Sequence, residues 1–148
     1  MIYKITLVLF GVDFFPDSIL HLIKGEFEVA SKNNPQDKKN PKDNYGFGSI
    51  SIFHPKKFAT QSNLQNYEEW FINLLINNND LFISRGVQEY EFFIEVYSED
   101  EQCNFEIFNK ELLRKINHIN ISFPVSTYRL KTDYYRQWVN EIDEIWQK

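Results

Sequence analysis

Val87–Phe108 reads VQEYEFFIEVYSEDEQCNFEIF, and its first half alternates with a period of two. Tyr90, Phe92, Ile94 and Val96 fall on one side, with Glu89, Glu91, Phe93, Glu95 and Tyr97 on the other, the pattern of a strand with one buried face. Such a strand belongs near the centre of a sheet. The segment Gly86–Asn109 holds seven acidic residues (Glu89, Glu91, Glu95, Glu99, Asp100, Glu101 and Glu106) and neither Lys nor Arg. It therefore carries −7 in a chain whose net charge is −5, which leaves +2 for everything else.

Working back from this strand, Ile2–Phe10 alternates Tyr3, Ile5, Leu7 and Leu9 against a mixed set, so it predicts a strand buried on one side and partly on the other. Pro16 and Asp17 then suit a helix start, followed by Ile19, Leu20, Leu22 and Ile23, with Gly25 as a left-handed cap. Glu26–Ala30 predicts a short strand. Lys32–Asn44 has two prolines, four Lys and no apolar residue, which predicts a mobile loop over 32–44. Ser49–Phe53 predicts a third strand stopped by His54-Pro55, since proline removes a ladder donor.

From Ser62 the period becomes helical, with Leu64, Tyr67, Phe71, Leu74 and Leu75 three or four apart and Glu68, Glu69 and Asn73 expected toward water. Asn77–Asp80 is expected to fray or recap that helix. Beyond the acidic strand, Ser98–Gln102 reads as a hairpin turn returning through Phe105 and Ile107. Asn109 is expected to cap a helix holding Leu112, Leu113 and Ile116. Ile121–Tyr128 predicts a last strand with Ile121, Phe123 and Val125 inward and Pro124 marking an edge. A C-terminal amphipathic helix follows over 132–147, with Tyr135, Trp138, Val139, Ile142, Ile145 and Trp146 on its apolar stripe. The element order predicts one α+β domain over 1–148, a two-layer sandwich of a mainly antiparallel sheet with helices on one face, opening with ferredoxin-like elements.

The chain has 148 residues, enough for one core, and 43% hydrophobic residues to fill it. The apolar opening run meets Asp13 after about ten residues and reads as neither a signal peptide nor a membrane span. Cys103 is the only cysteine, so neither an intrachain disulfide nor a thiolate cluster is expected, and a cytoplasmic location follows. A net charge of −5 disfavours nucleic acid and anionic lipid as partners and favours a basic protein.

Chemistry-bearing residues are dispersed. His21, His54 and His118 form no paired spacing, so no metal and no cofactor are expected. Cys103 stands in an acidic turn that disfavours a thiolate and reads as a small filler. Glu89, Glu91 and Glu95 share one strand face with neighbours about 6 to 7 Å apart, a geometry open to three readings. They are a solvated face, a partner-binding face, or the paired carboxylates of a small hydrolase. Phe93 and Tyr97 between the acids tilt the balance toward binding, because interfaces favour aromatic anchors within polar rims. The candidate partner-binding set is Glu89, Glu91, Phe93, Glu95, Tyr97, Glu99, Asp100 and Glu101, with no catalytic residue assigned.

Several local patterns carry a resemblance. They are Phe15-Pro16-Asp17-Ser18-Ile19, the helix around Tyr67–Leu75, the run Phe93-Ile94-Glu95-Val96-Tyr97-Ser98, then Phe105-Glu106-Ile107, Lys110-Glu111-Leu112-Leu113 and the strand ending at Tyr128. Over Ile2–Leu130 the chain resembles a bacterial family of small uncharacterised domains associated with polymorphic toxin loci. The resemblance implies a noncatalytic immunity protein that binds and neutralises a cognate toxin, a basic one by the charge argument, and it carries over no site residues. A carboxylate-dependent hydrolase and a small-ligand-binding regulatory domain stay open as alternatives.

Overall fold

Strand β1 (Ile2–Gly11) pairs antiparallel with two neighbours at once, β3 (Gly48–Thr60) on one side and β4 (Glu89–Ser98) on the other, in a computed structural model that describes all of Met1–Lys148. The β-branched and leucine-rich run ITLVL suits a strand paired on both edges. β2 (Glu28–Asn33) adds to the outer edge of β3, so the first four strands lie in the order β2-β3-β1-β4. This is the split, ferredoxin-like arrangement that the element order predicts. The centre of the sheet is β1, and the acidic strand β4 sits one place away.

Beyond β4 lie β5 (Ile121–Ser122) and β6 (Val125–Arg129), both parallel to it. Their registers, Tyr90 with Ile121 and Ile94 with Val125, share one offset, so they are a single edge strand broken at Phe123-Pro124. The break costs the ladder little, because Ile94 N–H still donates to the Pro124 carbonyl at 2.9 Å.

Helix α1 (Leu64–Ser84) lies over the inner face and buries Tyr67, Phe71, Leu75 and Phe82 against Tyr3, Ile5, Leu7, Leu9, Ile50, Ile52 and the even-numbered residues of β4. The short helix α2 (Lys110–Lys115) joins it, capped as expected by Asn109, whose Oδ1 accepts from Glu111 N–H at 3.0 Å and Leu112 N–H at 3.1 Å. Because α2 has only six residues, Phe123 and Val125 face inward yet stay 37% and 48% exposed. Helix α3 (Thr132–Gln147) packs chiefly on β3 and reaches the outer face of the sheet. No helix is long and apolar enough to cross a membrane.

Several expectations need correcting. The Pro16–Ile23 stretch makes two single 3₁₀ turns, Pro16–Ser18 and Leu20–Leu22, and Gly25 turns the chain at φ 116°. Asn77–Asp80 does not break α1, because its side chains have tertiary partners. Buried Asn78 accepts from Lys24 N–H at 2.7 Å and donates to the carbonyls of Lys24 and Leu74, while Asn79 accepts from the Tyr90 hydroxyl at 2.9 Å. Proline does not stop β3 either, since residues 54–57 form a bulge in which no ladder donor is required. Lys57 turns left-handed there at φ 51°, and the Tyr67 hydroxyl fills the gap by accepting from Ile5 N–H at 2.9 Å and donating to the Lys57 carbonyl at 2.6 Å.

The fourth correction concerns Phe105–Ile107, which forms no strand. Phe108 is left-handed at φ 56°, and its N–H donates to the buried Glu68 carboxylate at 2.6 Å, so a helix side chain takes the bond a partner strand would have made. β2 also begins two residues later than expected and runs on through Lys32 and Asn33. The rest of the lysine-rich segment, expected to be mobile, is laced by local bonds, including a Lys38–Asn44 bridge and the Asp43 N–H donating to Asn40 Oδ1 at 2.9 Å, and Lys32 itself pairs with Asp17.

Candidate functional site

Register determines which side chains share the outer face. β1 contributes Lys4, Thr6, Val8 and Phe10; opposite them stand Phe58, Phe53, Ser51 and Ser49 on β3, and Glu95, Phe93, Glu91 and Glu89 on β4. The face is thus a ladder of cross-strand rows, and α3 divides it in two.

In the lower half, Trp138 of α3 meets Phe58 edge-on at 4.9 Å and Tyr97 at 5.2 Å, and Tyr97 stacks on Tyr128 at 5.0 Å. Thr60 Oγ1 donates to Asp143 at 2.5 Å, which fixes the helix over Ile2. Its last turn passes the unpaired edge of β3, where Trp146 stacks on His54 at 5.2 Å and donates Nε1–H to the Phe58 carbonyl at 2.9 Å. Covering a bare edge with a helix is one way sheets avoid unwanted pairing. His54 accepts Lys56 N–H on Nδ1, and burial, with the Lys56 charge adding to it, pushes its pKa down to about 4.

The glutamates of this half have partners. Lys4 Nζ lies 2.6 Å from Glu95, whose side chain is 13% exposed, and the Tyr97 hydroxyl donates to the same carboxylate at 2.9 Å. Burial first, and that bond second, raise the Tyr97 pKa above the usual phenol range. Farther down, Glu101 pairs with Arg129 at 2.8 Å and Glu99 approaches Arg136 at 3.9 Å, while Asp100 is exposed and has no ion pair.

The upper half has no helix over it. Val8, Phe10, Phe53 and Phe93 are half-buried, Phe47 is 37% exposed, and Glu89 and Glu91 stand among them without an ion pair or side-chain hydrogen bond. Phe10 and Phe47 tilt together at 6.4 Å and border a shallow depression of about 410 Å³ with Gly11, Gln88 and the two glutamates. Gly11 and Gly48, paired at its rim, are needed because a methyl on either would collide with backbone of Gly86 or Phe14.

The eight expected residues are therefore split. Glu89, Glu91 and Phe93 gather on the open half; Glu95 and Tyr97 lie at the boundary, tied to Lys4 and Trp138; Glu99, Asp100 and Glu101 lie roughly 30 Å from Glu89 at the far end of β4. Val8, Phe10, Phe47 and Phe53 were not foreseen as members. The mixed composition of Ile2–Phe10 hinted at a second, partly used face, but only the strand order brings it beside Glu89 and Glu91. No cluster of His, Cys, Asp and Glu is arranged to hold a metal ion. No protein-family model, curated protein or solved structure matches the chain.

Proposed function

We propose that the protein is a noncatalytic binding protein, an immunity protein that neutralises a cognate basic toxin through the open half of its outer sheet face. One observation carries this reading. Glu95, Glu99 and Glu101 each have a cationic neighbour within 4.0 Å, whereas Glu89 and Glu91, set among half-exposed Phe10, Phe47, Phe53 and Phe93, have none. Unpaired carboxylates beside aromatic anchors suit a partner that brings its own cations: charge steers the encounter and the rings supply buried area. The family resemblance supports the choice of a toxin as that partner.

The test is a protection assay in which the product of the neighbouring gene is expressed with or without the protein. Wild type is expected to restore growth, and a folded Glu89→Lys/Glu91→Lys variant to fail. Equal protection by both would remove this face from the mechanism, and no protection by wild type would remove the immunity reading.

A further inference from the structure

Away from the outer face, a second cleft of about 600 Å³ opens between the start of α1 and the segment 104–109. Gln61, Ser62, Gln65, Glu68, Asn104 and Glu106 supply its polar walls, Leu64 and Phe105 its apolar ones, and no Lys, Arg or His lines it. At its base Glu68 is only 5% exposed. Its Oε1 takes the Phe108 N–H at 2.6 Å, while its Oε2, with neither a hydrogen bond nor an ion pair in the protein, is the oxygen left accessible from the cleft. An ionised carboxylate has room for about four donors, so most of the acceptor capacity of this one faces the cleft and is open to a ligand's donors.

We propose that this cleft binds a small organic cation bearing a guanidinium group, with Glu68 Oε2 as the counter-charge at its base, Glu106 as a second anion on its wall, and Leu64 and Phe105 against the aliphatic stem. A guanidinium is planar, carries five N–H donors and is weakly hydrated, which fits a site rich in acceptors and lacking cations. The volume accepts a ligand of modest size. Burial, joined by the charges of Glu106 and Glu69, raises the Glu68 pKa to about 6, and a bound cation relieves that penalty. The site is independent of the open sheet face, so either reading can fail without the other.

The experiment is an NMR titration of the full chain with agmatine, its neutral isostere N-butylurea and the peptide Gly-Arg-Gly at constant ionic strength. Agmatine is expected to shift the Phe108 amide saturably and N-butylurea to leave it unmoved. Glu68→Gln, which keeps an acceptor for Phe108 N–H, is expected to weaken binding at least ~10-fold, and the exposed Glu106→Gln about 3-fold. Gly-Arg-Gly binding as tightly as agmatine assigns the site to a protein arginine, whereas binding of agmatine alone assigns it to a free small molecule. An absent response to both guanidinium probes, equal binding by the isostere, or undiminished binding by Glu68→Gln overturns the proposal.

Discussion

Along the outer face of the sheet, the rows built on Ile2 and Lys4 lie under α3, and the rows built on Thr6, Val8 and Phe10 do not. β4 gives acids and aromatics to both halves. Below, Glu95 has Lys4 and the Tyr97 hydroxyl, and Tyr97 has Trp138 and Tyr128. Above, Glu89, Glu91 and Phe93 are left to solvent. The contrast teaches that an acidic, aromatic strand is not one functional unit: what lies opposite each residue decides whether it serves the fold or remains for a partner. Substitutions below should cost stability, and substitutions above should cost binding.

The largest effect is expected where α3 is anchored. Trp146→Ala loses the stack on His54 and the bond to Phe58 and should destabilise by about 3 kcal/mol in urea unfolding, whereas Phe93→Ala should cost nearer 1 kcal/mol. Equal losses would erase the distinction between the halves.

Acid should loosen the same anchor. The unfolded chain protonates His54 near its ordinary pKa of 6.5, and the folded chain only near 4. Between those values the unfolded state binds more protons, so this contribution is complete above pH 6.5 and falls away as the pH drops toward 4, by up to about 3 kcal/mol. Thermal melts of wild type and His54→Phe across that range should diverge, with wild type showing the extra acid loss; parallel curves would show that His54 does not report on the anchor.

Tyr67→Phe is expected to cost about 2 kcal/mol, because Ile5 N–H and the Lys57 carbonyl would lose their partner at the bulge that lets α3 pass. Crystallography of the variant should show the bulge shifted or hydrated. Smallest of all, Glu91→Lys should change stability by less than ~0.5 kcal/mol, whereas Glu95→Lys, which sets two cations against each other in a half-buried site, should cost more, as measured by chemical denaturation.

Much of the framework was legible in the sequence. The periods of Ile2–Phe10, Leu64–Leu75 and Glu89–Tyr97 announce their elements, and Asn109 marks its helix, because those signals are local. What was illegible depends on partners distant in the chain. Asn78 reads as a helix breaker until Lys24 stands beside it, Pro55 reads as a stop until the bulge removes the need for its donor, and Glu68 reads as a solvated residue until Phe108 reaches it. For the candidate face, alternation placed Glu89, Glu91 and Phe93 together correctly but joined them to Glu95 and Tyr97, since nothing local reveals where a helix from the far end of the chain will lie.

The most direct measurement is stopped-flow association with the proposed partner, a purified basic toxin against which the protein protects cells, for wild type, Glu89→Lys/Glu91→Lys and Asp100→Lys/Glu101→Lys, over a range of salt. The upper pair is predicted to slow association by ~10-fold or more at low salt, with the difference shrinking as salt rises, and the lower pair to have a much smaller effect. Unchanged association in the upper pair, or an equal loss in the lower one, would contradict the assignment of recognition to the open half.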